Sequence, residues 1–224
     1  MVGDGGAVAT TFFKCGNGYK ALDSILLEME RRTAYVLTGN AESPRALFSK
    51  GVLEQIGFNV KCIIYTPNKD MILSNRMSMQ GIYQMICDSN EPYAYVFEDD
   101  INLLAPIKLD EIIEYEAISE RFFYLGLCEP TNRGTHDTGI KINGQSVITK
   151  SGEVRGLHAI GLSKEGAKEL LEFSKESTFE NMDMVLEDFS RKYPANVVRY
   201  DLQSYIYGHK GVIFQDRRRF PSTI

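Results

Sequence analysis

From Thr33 onward the chain alternates short apolar runs with segments of helical periodicity, and nothing else in the sequence restricts the fold as strongly. "TAYVLTG" reads as a buried strand and leads into "NAESPRALFSKGVLEQIGF". In that segment Ser43 can cap a helix, Pro44 suits its first position and Gly57 suits its end. "NVKCIIYTP" is a second strand, and the residues from Asp70 to Cys87 set Ile72, Met79, Ile82, Tyr83 and Ile86 on one helical stripe. "YAYVF" (93–97), "RFFYLGL" (121–127) and "GLHAIGLS" (156–163) follow as strands, the last leading into a helix from Lys164 that Ser163 can cap. Strands apolar on both faces, separated by helices, predict an α/β domain with a mostly parallel sheet covered by flanking helices. The first 32 residues read as an N-terminal extension or edge element, with "AVATTFFK" as its strand, and residues 33–224 as a single domain. Gly3, Gly5 and Gly6 follow no strand and lack the spacing of a dinucleotide loop. "LCEPTNRGTHDTG" is turn-rich and reads as a mobile loop.

In parallel sheets ligands sit beyond the carboxyl ends of the strands. That rule singles out "YVFEDDINLL", where the third strand runs into Glu98, Asp99 and Asp100. Alternation along an extended chain sends Glu98 and Asp100 to one side and Asp99 to the other. Two converging carboxylates repel, which raises the pKa of one unless a cation lies between them. Oxygen ligands of this kind suit Mg²⁺ or Mn²⁺ and commonly join the protein to substrate phosphates. A solvated acidic turn that ends the strand is the alternative. A calcium loop counted from Asp100 fails, because its fifth position is Leu104 and its glycine position is Ala105.

Composition removes several classes. A net charge of −5 gives no basic face for nucleic acid, and no apolar run approaches the roughly 20 residues that span a bilayer. The opening residues lack the basic-then-apolar order of a signal peptide, so a cytoplasmic protein is expected, peripheral to a membrane only through partners. Cys15, Cys62, Cys87 and Cys128 form no paired motif and read as reduced, buried thiols.

In their order these features resemble glycosyltransferase family 25, which includes lipooligosaccharide and collagen galactosyltransferases. The resemblance rests on "ILSNRMSMQGIYQMI" followed by "AYVFEDD", on "GLHAIGLSKEGAKELLE", on "FENMDMVLEDF" and on the ending "GVIFQDRRRFPSTI". Asn75 stands where the family usually has histidine. The resemblance implies a GT-A type, Rossmann-like nucleotide-sugar transferase that moves a hexose, galactose or glucose, to a glycan or glycoprotein hydroxyl with inversion. It implies UDP-sugar as donor and Mn²⁺ or Mg²⁺ as cofactor, held by Glu98 and Asp100 with His209 as a further ligand; Asp201 and Asp216 compete with His209. Asp183 is the implied base, since it lies with Glu187 beside the apolar stripe Met182, Val185, Leu186, Phe189 and Tyr193; Glu187 and Asp188 are reserves. Arg45, Ser74, Asn75 and Asp99 are the expected nucleotide and sugar contacts. His158 reads as a core histidine, and "DRRRF" (216–220) as a solvated charge run, with pairing of its guanidinium groups to a diphosphate as the alternative. A sugar nucleotidyltransferase and an inactive sugar-binding protein of the same fold are the competing readings.

Overall fold

The structure is a computed structural model that describes residues 12–15, 18–21, 32–128, 134–142, 144–152, 156, 158–199 and 209–221; for 12–15, 18–21, 127–128, 198–199 and 209–211 it describes backbone only. The chain divides into two compact units, Met1–Arg31 and Arg32–Ile224. In the first, β1 (Phe12–Cys15) pairs antiparallel with β2 (Gly18–Ala21).

The second unit is an α/β domain. Its elements run β3 (Thr33–Thr38), α1 (Pro44–Ile56), β4 (Asn59–Ile64), α2 (Met71–Asp88), β5 (Tyr93–Glu98), β6 (Ile101–Leu103), α3 (Leu109–Glu116), β7 (Phe122–Tyr124) and β8 (Gly126–Cys128). They continue through β9 (Thr135–Ile142), β10 (Gln145–Lys150), β11 (Ala159–Ser163), α4 (Lys164–Glu176), α5 (Met182–Lys192), β12 (Ala195–Arg199), β13 (His209–Gly211) and β14 (Ile213–Gln215). Eight strands form one sheet in the order β4-β3-β5-β11-β7-β12-β10-β9.

The local reasons for these elements are visible at their ends. Ser43 Oγ accepts from the Ala46 N–H at 3.2 Å, Pro44 occupies the first turn, and Gly57 closes α1 at φ 118°, a left-handed conformation that favours glycine. Asp70 caps α2 through the N–H groups of Ile72 and Leu73, and Ser163 caps α4 through that of Gly166. The central strands β3, β5 and β11 have no polar face because both sheet faces are covered there. Tyr35, Leu37 and Val96 pack with Ile82, Tyr83, Leu170, Val185 and Phe189 on one side. Ala34, Val36, Tyr95 and Phe97 pack with Leu53, Ile56, Ile112 and Tyr115 on the other.

The sheet is mixed rather than mostly parallel. β3 pairs parallel with β4 and β5, and β7 with β12, but β11 lies antiparallel between β5 and β7, and β10 is antiparallel to both its neighbours. A strand buried on both faces looks the same in either direction, so the apolar pattern of β11 carried no information about its sense. The stretch read as a mobile loop is partly strand: Thr135–Ile142 is the sheet edge, joined to β10, while 129–133 lie outside the described residues.

Candidate functional site

β3 and β5 run parallel with Leu37 opposite Glu98, so their carboxyl ends open side by side. A cleft of about 320 Å³ lies there, within the size range of small-molecule sites. Gly39 follows β3, Tyr65 follows β4, and Glu98, Asp99 and Asp100 close β5. Arg45 enters from the first turn of α1, Met71, Ile72 and Asn75 from α2, and Asn181, Met182 and Asp183 from the start of α5. Gln215 of β14 and Arg217 complete the lining.

The acidic triplet does not alternate as an extended strand would. β5 ends at Glu98 and residues 99 and 100 form a turn, so strand alternation does not carry past Glu98, and all three residues line the cleft. Asp99 is held on both oxygens: Thr38 Oγ1 donates to Oδ2 at 2.5 Å, and Arg45 Nε lies 2.7 Å from Oδ1 as a charge contact without an aligned hydrogen bond. Arg45 Nη2 is 3.4 Å from Asp100 Oδ2, and the Arg45 guanidinium also donates to the Pro221 carbonyl at 3.3 Å. One guanidinium therefore bridges Asp99 and Asp100 and leaves Glu98 to others. Gln215 Nε2 donates to Glu98 Oε2, while Gln215 Oε1 accepts from Arg217 Nη2 at 3.2 Å.

Charge is not balanced at this edge. Burial, then the neighbouring Asp100 and Asp183, push the Glu98 carboxyl up to about 8, against the pull of Arg217. Burial also raises Asp100; Arg45 opposes that rise and Asp99 adds to it. Burial, then Glu98 and Asp99, hold the Tyr65 hydroxyl well above its ordinary range beside Asn75. Among the described residues, the buried Asp100 Oδ1 meets no hydrogen-bond partner. A divalent cation between Glu98 and Asp100 would satisfy that oxygen and offset the burial and then the repulsion that raise Glu98, so the donor chemistry fits Mg²⁺ or Mn²⁺. Among the described residues no three His, Cys, Asp or Glu side chains gather as a metal cage. Two carboxylates with substrate phosphates and water are a usual arrangement for these ions.

The geometry brings Arg45, Asn75, Glu98, Asp99, Asp100 and Asp183 to one cleft, but not the remaining candidates. Ser74 is a correction: it is buried, and its Oγ donates to the Thr66 carbonyl at 2.5 Å, which uses it to fix the approach to α2. Glu187 is a second: one turn beyond Asp183 it turns inward, buried, with Oε1 2.5 Å from Arg191 Nη2, and does not line the cleft. Asp188 pairs with the same Arg191 at 3.0 Å. His209 begins β13 opposite Cys128, its side chain outside the described atoms, and Asp201 lies outside the described residues altogether. Asp216 accepts from Asn102 Nδ2 at 2.9 Å and from the Arg219 N–H at 3.2 Å, so it braces the C-terminal segment. His158 is fully buried at the head of β11. Cys62 and Cys87 are free and only half-buried.

Sequence reasoning missed Tyr65 and Gln215, and it ranked diphosphate pairing by the run that holds Arg217 below a solvated role. The strand-end rule that found the triplet also applies to Tyr65, directly after β4. Arg217 carries no local signal, because its place depends on β14 pairing with β6, Ile213 with Leu103 and Gln215 with Ile101.

No family model matches this chain, and no curated protein matches it either. No described helix is long and apolar enough to cross a membrane.

Proposed function

We propose that this chain is a hexosyltransferase of GT-A type, which transfers a hexose from a nucleoside diphosphate sugar, UDP-linked, to a glycan or protein-linked hydroxyl with inversion. The observation that carries this reading is the single cleft shared by Glu98, Asp99, Asp100 and Asp183 with Arg45, Arg217 and Asn75. Guanidinium groups match phosphate geometry and carboxylates accept from hydroxyl groups, so this lining suits a ligand that brings both.

In the reaction the bond between the anomeric carbon and the diphosphate oxygen breaks, and its electron pair leaves with the diphosphate. The acceptor oxygen forms the new bond to that carbon from the opposite face. Its proton passes to the Asp183 carboxylate, which acts as general base. Asn181 sets that carboxylate by capping α5 through the Asp183 N–H at 2.8 Å. Arg45 and Arg217 present guanidinium groups that match phosphate geometry. Glu98 and Asp100 would hold Mn²⁺ or Mg²⁺, which when bound would offset the charge that develops on the leaving diphosphate. Asp99, gripped by Thr38 and Arg45, keeps Arg45 in position.

A panel of nucleotide sugars, each incubated with the protein and Mn²⁺ and assayed for released nucleoside diphosphate, tests the reading. Slow hydrolysis of one UDP-hexose is the expected result. No turnover and no binding of any nucleotide sugar would refute the proposal.

A further inference from the structure

Asp183 lies in the first turn of α5, just after a short connection from α4, and one side chain of α2 grips that connection. Arg76, next to Asn75, directs its guanidinium at three main-chain carbonyls. Nη1 donates to the Phe179 carbonyl at 2.5 Å, and Nη2 donates to those of Ser174 and, at 3.1 Å, Ser177. Ser174 lies in the last turn of α4 and Ser177 is its C-cap, where helix carbonyls lack intrahelical partners and the helix dipole favours a cation. One turn further along α2, Gln80 Nε2 donates to Ser174 Oγ at 3.1 Å. Two residues beyond Phe179, Asn181 caps α5 and delivers Asp183.

We infer that Arg76 is a positioning residue, which sets the distance between the α2 wall of the cleft and the Asp183 carboxylate by locking residues 174–179 to α2. The inference rests on the transferase reading for its catalytic consequence, but not for its structural one. A guanidinium fork suits three carbonyls that diverge around a helix end, whereas an ammonium offers one compact charge and cannot hold all three in a fixed plane. Arg76 does not line the cleft, so its loss leaves the diphosphate contacts intact and frees the base. Misplacing a reacting group by about 1 Å costs on the order of 100-fold in rate.

The test compares Arg76→Met and Arg76→Lys with the parent chain by hydrogen exchange and by donor turnover. Amides of residues 177–184 should exchange about tenfold or more faster in Arg76→Met, because local opening follows the loss of tethering contacts, while β3 and β5 stay protected. Turnover should fall by about 10- to 100-fold with donor KM within about threefold, and Arg76→Lys should lie between. Arg76→Lys carries the comparison if the methionine variant does not fold. Unchanged exchange at 177–184 overturns the inference, and so does unchanged kcat in a folded variant of an active parent. A parent that neither binds nor turns over any nucleotide sugar refutes the transferase reading alone, since the exchange arm still decides the clamp.

Discussion

Burial, with Asp100 and Asp183 close by, raises the Glu98 carboxyl, and its titration makes the site testable without a substrate. Its folded-state pKa of about 8 lies above the ordinary carboxylate value of 4.5, so the folded state holds a proton that the unfolded chain gives up. The associated stability is fully present below pH 4.5 and is lost as pH rises toward 8. Glu98→Gln should therefore raise Tm by a few °C at pH 8.5 and leave it unchanged near pH 4.5, as thermal melts at the two pH values would read. Cation binding must displace that proton, so Mn²⁺ affinity should increase between pH 6 and pH 9 in the parent chain and stay nearly flat in Glu98→Gln. At Asp183, the isosteric Asn variant should keep donor affinity within about threefold and lose at least about 100-fold in turnover, the usual share of a general base. Full turnover would remove Asp183 from the mechanism. The acidic triplet was readable from the sequence as a strand-end feature, but the division of labour within it was not. The alternation rule holds only while the chain stays extended, and it stops at the turn after Glu98.

Among the elements, those written in local chemistry were the ones legible beforehand. Ser43 with Pro44, Gly57 and Ser163 each act on a neighbour within a few residues, so their meaning survives without knowledge of the fold. The sense of β11 was not legible, because it depends on where the chain travels between Cys128 and His158. Ile72 belongs to the stripe of α2 by spacing, yet it is exposed and lines the cleft. β11 offers an element-scale test. A Cβ at Gly161 would come within 2.6 Å of the Phe123 ring and 3.0 Å of the Tyr95 ring, on the strands at either side. Gly161→Ala should cost about 1–3 kcal/mol through overpacking, seen as a lower denaturation midpoint with unchanged slope. A neutral effect would mean that the three strands are not packed in this order.

At the scale of the whole molecule, the cleft is finished by the segment farthest in sequence from the strands that found it. The Asp216 N–H donates to the Asp100 carbonyl at 2.7 Å, the Leu104 N–H to that of Val212 at 2.7 Å, and the Phe220 ring packs against Phe48 of α1. These contacts bring Gln215 onto Glu98 and Arg217 into the lining, whereas by composition "DRRRF" is only a charge run. The three arginines should therefore separate: Arg217→Ala should weaken nucleoside diphosphate binding by about tenfold, as loss of a charge-assisted contact does, while Arg218→Ala, outside the cleft lining, leaves it unchanged. Arg219 stacks its guanidinium on Phe48, 4.3 Å from the ring centroid, so Arg219→Ala should lower Tm without changing affinity. The most direct measurement is a calorimetric titration of UDP into the protein with Mn²⁺, repeated with chelator and with Asp100→Asn. Saturable binding with Mn²⁺ that disappears with chelator and in the variant is the expected result. Binding indifferent to chelator and to Asp100→Asn, or no binding at all, would contradict the assignment of this cleft to a metal-bound nucleotide sugar.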